Sequence, residues 1–175
     1  NVGLVLQAYM RRSEKDVLRL TEQKANFRLS KGIYVETESV AYKGKQEVRD
    51  NFLKLLRLML ERKSYVGIAT HDDFLIDGAK KIISEFGLNK DEYEFQMLLG
   101  VREKTRDKIV AEGNKMRIYV PFGERWYQYS IRRFKENLVE IHKLPLNQQR
   151  QMLLNEFAEL KGPGDQTDDI LVLGL

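Results

Sequence analysis

Residues able to do chemistry recur in this chain at one kind of place, the ends of short apolar runs. Gln7 and Tyr9 close VGLVLQAY, Lys31 and Tyr34 close FRLSKGIY, and Thr70 and His71 follow YVGIA. Gln96 falls in YEFQML, and Tyr119 ends KMRIY. Core packing does not ask for polar side chains at such ends; a ligand bound across them does. A second group lies in one later stretch, where Tyr119, Pro121, Gly123, Trp126, Tyr127 and Tyr129 precede Arg132-Arg133. Adjacent arginines on a helix point about 100° apart. They can still clamp one carboxylate where a helix end caps a pocket, a task suited to the guanidinium fork. On pattern alone, two surface arginines explain the pair more simply. His71 alone reads as a base, a cofactor contact or a satisfied turn histidine. Asp168-Asp169 reads as a turn or cap pair rather than a divalent-cation site, because no second carboxylate cluster lies near it in sequence.

Composition narrows the chemistry. The 175 residues contain no cysteine and only two histidines, His71 and His142. That excludes a disulfide framework, a thiolate nucleophile and Cys-ligated or multi-histidine metal sites. No apolar run is long enough to span a bilayer, and neither a signal peptide nor a low-complexity stretch occurs. Phosphate-binding GxGxxG, Walker and GxS-type motifs are absent. The first residue is Asn1 rather than Met, so a processed or partial product is expected. The net charge of +4 is uneven: residues 138–175 carry three basic and six acidic residues, net −3, and residues 1–137 carry 27 and 20, net +7. The basic residues are interspersed with acidic ones, which suits a solvated surface and not nucleic-acid binding.

The elements that must position these residues alternate. Strand composition is expected at Val2–Tyr9, Phe27–Tyr34, Tyr65–Thr70, Tyr93–Leu98 and Lys115–Val120. Helices are expected from Ser13, capped by its own hydroxyl with Asp16 completing a capping box, to Thr21. Further helices span Gln46–Arg62, Asp73–Phe86 and Glu103–Glu112, and a long one runs from Glu124 past Glu136. Val48, Phe52, Leu55, Leu56 and Met59 set the helical period of the second. Gly87 and Gly113 stand where C-terminal cap glycines belong, while Gly32, Gly44, Gly100 and Gly123 read as turns. This rhythm argues an α/β fold with a parallel sheet and helical crossovers, open or closed into a barrel, with ligands at the strand C-termini. A helix at Leu146–Leu160, the breaker Gly162-Pro163-Gly164 and a strand at Ile170–Leu175 form a tail.

Read together, VLQAY, RLSKGIY, IATHDD, EFQMLLG, MRIYVPFG and YQYSIRRFKEN closely resemble, in order and spacing, the C-terminal part of proline dehydrogenase, most like the short monofunctional bacterial type. The resemblance covers about residues 2–137. It implies a partial (β/α)8, TIM-type barrel, about its last five strands and final helix, plus a short helix–strand tail. It implies FAD as cofactor and hydride transfer from L-proline to flavin, giving pyrroline-5-carboxylate, with a membrane quinone as electron acceptor. Carried over by position, Gln7, Arg28, Ser30, Lys31, Gly32, Thr70 and His71 would contact FAD, with Arg28 the critical cation beside the ring. Tyr34, Leu98, Tyr119 and Tyr129 would wall the proline, Arg132 and Arg133 would hold its carboxylate, and Glu136 would support that pair. The implied protein is cytoplasmic or peripheral at the inner membrane, and binds neither metal nor nucleic acid. Its expected partner is the N-terminal half of the barrel, which carries the family's substrate-side lysine and strand-end aspartate.

Two positions depart from the family pattern: Ser30 stands for the usual valine and Ile33 for the usual alanine. Residues 138–175 are similar to the C-terminal end of bacterial serine phosphatases of the protein phosphatase 2C type, whose QTDD motif would map a metal ligand to Asp168. The other metal motifs of that family are absent. The expected organisation is therefore a partial barrel at 1–137 and an extension of different origin at 138–175, inactive toward proline by itself. Alternatives are a non-catalytic, partner-binding fold remnant and a phosphatase remnant.

Overall fold

The structure, a computed structural model, describes residues 3–120, 141–142 and 144–161. The chain divides into two compact units, Asn1–Val120 and Pro121–Leu175. The first unit alternates strictly: β1 (Gly3–Gln7), α1 (Ser13–Thr21), β2 (Asn26–Ser30), α2 (Lys45–Glu61), β3 (Val66–Ala69), α3 (Asp73–Glu85), β4 (Tyr93–Leu98), α4 (Glu103–Ala111) and β5 (Met116–Tyr119). The five strands form one sheet in the order β1-β2-β3-β4-β5, every neighbouring pair parallel. Each helix is a crossover between adjacent strands, as parallel pairing demands. Among the described residues, β1 and β5 are the edges.

The two faces of the sheet differ because successive side chains alternate. One face carries Phe27, Leu29, Val66, Ile68, Tyr93, Phe95 and Met97, all buried. It packs against the apolar stripes of the helices, notably Phe52, Leu55, Leu56 and Met59 of α2 and Leu75, Ile76, Ala79 and Ile82 of α3. Each of these leucines is fully buried, so truncating Leu56 to alanine would cost about 2–5 kcal/mol. Gly78 of α3 lets the two helices approach closely: a Cβ there would lie 2.8 Å from the Leu53 methyls. The other face of the sheet is polar. Its register row runs Gln7, Ser30, Ala69, Gln96, Arg117, with Arg28, Gly67 and Glu94 in the row beneath.

Three local expectations are corrected. The second strand does not run to Tyr34; it ends at Ser30. Gly32 adopts φ +104°, a left-handed turn that takes the chain out of the sheet. The first strand likewise ends at Gln7, not Tyr9. Ser13 does not cap α1: Arg12 occupies the cap position. The Ser13 hydroxyl instead donates to the Gln7 carbonyl at 2.6 Å, tying the helix start to the end of β1. Asp16 accepts from Arg12 at 2.6 Å rather than completing a capping box. Gly87 and Gly113 do take positive φ, +60° and +78°, just past α3 and α4.

In the second unit a helix, α5 (Leu146–Lys161), follows Pro145. The Pro145 carbonyl accepts from the backbone N–H groups of Gln148 and Gln149, both at 2.9 Å. The expected helix from Glu124 and the expected strand at Ile170–Leu175 lie outside the described residues.

Candidate active site

The C-terminal ends of the five parallel strands come to one end of the sheet, where β1, β2, β3 and β4 hand the chain to α1, α2, α3 and α4. Three small networks hold this rim.

The first surrounds Arg28. Its Nε donates to Gln96 Oε1 at 2.7 Å, reaching across β3. Gln96 Nε2 donates to Glu94 Oε1 at 2.6 Å, which fixes which way the amide points. Glu94, itself buried, accepts a bidentate pair from Arg117 at 2.5 and 2.9 Å and a bond from the Tyr65 hydroxyl at 3.0 Å. Burial alone would raise the Glu94 carboxyl; the bonds from Arg117, Gln96 and Tyr65 outweigh it and hold it below the ordinary value. The same contact, with burial first, pushes the Tyr65 phenol up to about 12. Glu94 is therefore a carboxylate and Tyr65 a neutral donor at any physiological pH.

The second network centres on Asp72, which caps α3 by accepting from the Phe74 N–H at 3.2 Å. Arg49 of α2 donates to both Asp72 oxygens, at 2.9 and 2.7 Å. Lys31, just past β2, donates to Oδ2 at 3.3 Å. Burial would raise the Asp72 carboxyl, but the bonds from Arg49 and Lys31 win and lower it. Thr70 is buried, and its hydroxyl oxygen accepts from the Asp72 N–H at 3.2 Å. His71 Nε2 accepts from the Leu98 N–H at 2.9 Å, tying the ends of β3 and β4 together. That bond places the proton of a neutral His71 on Nδ1.

The third feature is the turn after β2. A Cβ on Gly32 would lie 2.1 Å from Tyr9 Cδ1, and φ there is +104°, so both the space and the backbone demand glycine. Tyr9 itself is buried, and its N–H donates to the Lys31 carbonyl at 2.8 Å. Beyond the turn, on the loop that leaves the rim, Tyr34 is 65% exposed; Tyr119, at the end of β5, is 55% exposed. Leu98 is half-buried at the end of β4.

The structure thus brings Gln7, Arg28, Ser30, Lys31, Gly32, Thr70, His71, Leu98 and Tyr119 to one rim, with Tyr34 on the loop leading away from it. Tyr129, Arg132, Arg133, Glu136 and Asp168 lie outside the described residues. Arg49, Asp72, Glu94 and Gly67 are residues that strand-end reading does not pick out. Only Gly67 leaves a signal, since a glycine inside a strand marks a close approach. No cluster of three or more potential metal ligands occurs among the described residues.

Five parallel strands with helical crossovers, and a polar, cation-bearing rim at their C-terminal ends, define a segment of a (β/α)8 barrel. The chain belongs to the proline dehydrogenase family, whose sequence pattern matches residues 1–144. It is 46% identical to proline dehydrogenase 2 of Bacillus subtilis (strain 168) over 136 residues, 78% of this chain and 45% of that protein. It is 40% identical to the proline dehydrogenase of Deinococcus radiodurans over 136 residues, 78% of this chain and 44% of that one. The chain therefore spans less than half the length of these curated relatives. Among solved structures it resembles proline utilization A of Bdellovibrio bacteriovorus, inactivated by N-propargylglycine, with a TM-score of 0.65 and 32% identity over 70% of this chain and 15% of that one. The Corynebacterium freiburgense proline utilization A gives a TM-score of 0.65 at 28% identity, covering 79% of this chain and 17% of that one. The phosphatase likeness of residues 138–175 finds no support in these comparisons, and the family match runs into that stretch, to residue 144.

Proposed function

We propose that this chain supplies the flavin- and substrate-facing strands of a proline dehydrogenase. The observation that carries the reading is the register row Gln7, Ser30, Ala69, Gln96, Arg117, with Arg28 held in place just beneath it. The donor set suits FAD: a guanidinium held by Gln96, a second cation at Lys31, and amide and hydroxyl groups at Gln7 and Thr70, all on one polar rim. Gln7, Arg28, Ser30, Lys31, Gly32, Thr70 and His71 would hold FAD, which would supply the hydride acceptor for oxidation of L-proline to pyrroline-5-carboxylate.

The chain's own residues then do three things. Arg28 would supply positive charge beside the cofactor ring, an arrangement worth far more in a dry site than in water. Ser30, Lys31, Gly32 and His71 complete the cofactor side. Tyr34, Leu98, Tyr119 and Tyr129 wall the ring, Arg132 and Arg133 hold the carboxylate, and Glu136 steadies the arginines, so that the donor carbon is held in reach. Electrons pass to a membrane quinone, met peripherally from the cytoplasm; no helix among the described residues is long and apolar enough to cross a membrane. We further propose that residues 138–175 are an extension outside the catalytic barrel. The five described strands close no barrel mouth by themselves, so proline turnover by the 175-residue chain alone is expected to be negligible.

A segment swap tests the reading. Residues 2–137 replace the matching segment of the B. subtilis relative, and proline is added anaerobically to the purified chimera. A yellow protein whose oxidised-flavin band bleaches supports it; a folded, colourless chimera, or a yellow one inert to proline, overturns it.

A further inference from the structure

Arg28 and Gln96 sit on β2 and β4, two strands that are not neighbours. Their side chains meet only by crossing β3, and they cross it at Gly67, the register partner of Arg28 on one side and Glu94 on the other. A Cβ at Gly67 would lie 2.3 Å from Gln96 Nε2 and 2.9 Å from its Cδ. Any other residue there would push the amide off the strand. Gly67 lies in the middle of a regular strand, so no turn or cap explains it. The gap it leaves is filled by Gln96, whose carbonyl oxygen accepts from Arg28 at 2.7 Å and whose NH2 donates to Glu94 at 2.6 Å. Glu94 is in turn locked by Arg117 and Tyr65. A guanidinium on a flexible stem loses rotamer freedom when ordered. The Gln96 bond meets that cost before any ligand arrives.

We propose that Gln96 is a positioning residue: seated over Gly67 and anchored on Glu94, it preorganises the Arg28 guanidinium at the rim. The inference rests on reading Arg28 as flavin-facing, and its test separates the two claims. The 175-residue chain labelled with 15N is observed at the arginine Nε–Hε resonances, with Arg28→Lys identifying the Arg28 signal. The wild-type signal should be sharp and exchange with water slowly. Gln96→Met, which keeps length and removes both hydrogen-bonding groups, should speed that exchange about ten- to a hundredfold, the range for loss of a charge-assisted bond. Gly67→Ala should do the same without touching a polar group, while amide dispersion reports that both variants stay folded. Unchanged Arg28 exchange in folded Gln96→Met overturns the proposal. If Gly67→Ala unfolds, Gln96→Met alone decides. FAD is then added to the wild type: a shift of the Arg28 signal supports the flavin-facing reading. No shift at saturating FAD defeats that reading while the exchange data still judge the hold by Gln96.

Discussion

Replacing Asp72 by alanine should cost this chain about 3–4 kcal/mol of stability. Its side chain is 7% exposed and that of Arg49 22%. The bidentate Arg49 bond is a charge-assisted pair worth about 1.5–3 kcal/mol, and the cap on α3 adds about 1 kcal/mol. Lys31, 41% exposed, adds at most about 1 kcal/mol. Asp72→Ala should therefore lose about 3–4 kcal/mol, and Asp72→Asn, which keeps a good cap residue, about 1.5–3 kcal/mol. At roughly 2–4 °C per kcal/mol for a chain of this size, the alanine variant should melt about 6–16 °C lower. The pH dependence gives the sharper check. The Asp72 carboxyl is lowered in the fold, so its contribution is fully present above its unfolded value, about 3.9, and is lost as pH falls through the lower folded value. The gap between wild type and Asp72→Asn should be constant near neutrality and close below about pH 4. Urea denaturation followed by circular dichroism across that range measures it. An Asp72→Ala variant as stable as wild type, or an Asp72→Asn deficit that persists in acid, would refute the reasoning.

Three further outcomes are expected. Gly32→Ala should destabilise the turn by at least about 1 kcal/mol from its positive φ alone, and combined with Tyr9→Ala, which removes the clashing ring atoms, it should cost less than the sum of the two single changes; urea midpoints of the three variants decide this. Tyr65 has a folded value of about 12 against about 10 unfolded, so its contribution is present below pH 10 and lost as pH rises through 12. The stability gap between wild type and Tyr65→Phe should shrink by on the order of 1–2 kcal/mol over that window, allowing for the partial exposure of the ring; a flat gap contradicts it. In the B. subtilis chimera, Arg133→Met should weaken proline affinity about ten- to a hundredfold while flavin content is retained; steady-state kinetics with flavin absorbance on the same sample would expose an unchanged affinity.

The alternation of strands and helices was legible because each element carries its own period. The apolar stripe of Phe52, Leu55, Leu56 and Met59 and the polar strand ends need no knowledge of neighbours. Gly32 reads correctly as a turn, but the end of the second strand is misplaced because FRLSKGIY has strand composition throughout, and only the backbone shows that the chain leaves the sheet after Ser30. Ser13 looked like a cap because local spacing says so; its hydroxyl instead finds the Gln7 carbonyl, a partner that only the fold supplies. The rim's supports were illegible for the same reason. Arg28 and Gln96 are 68 positions apart, and Arg49 and Asp72 are 23 apart. On its own helix Arg49 reads as one more solvated charge. Family resemblance pointed to Arg28 and Lys31, and Gln96 stood out as a polar strand residue, yet that Gln96 holds Arg28 and Asp72 holds Lys31 emerges only from the fold.

The role of Arg28 is tested most directly by anaerobic stopped-flow reduction of the flavin in the chimera, with Arg28 and with Arg28→Met. A donor lost from a preorganised site costs about a hundred- to a thousandfold in rate. The account predicts that Arg28→Met keeps its flavin but is reduced by proline at least about a hundredfold more slowly. Reduction of the flavin-loaded variant at the rate of its parent would contradict it.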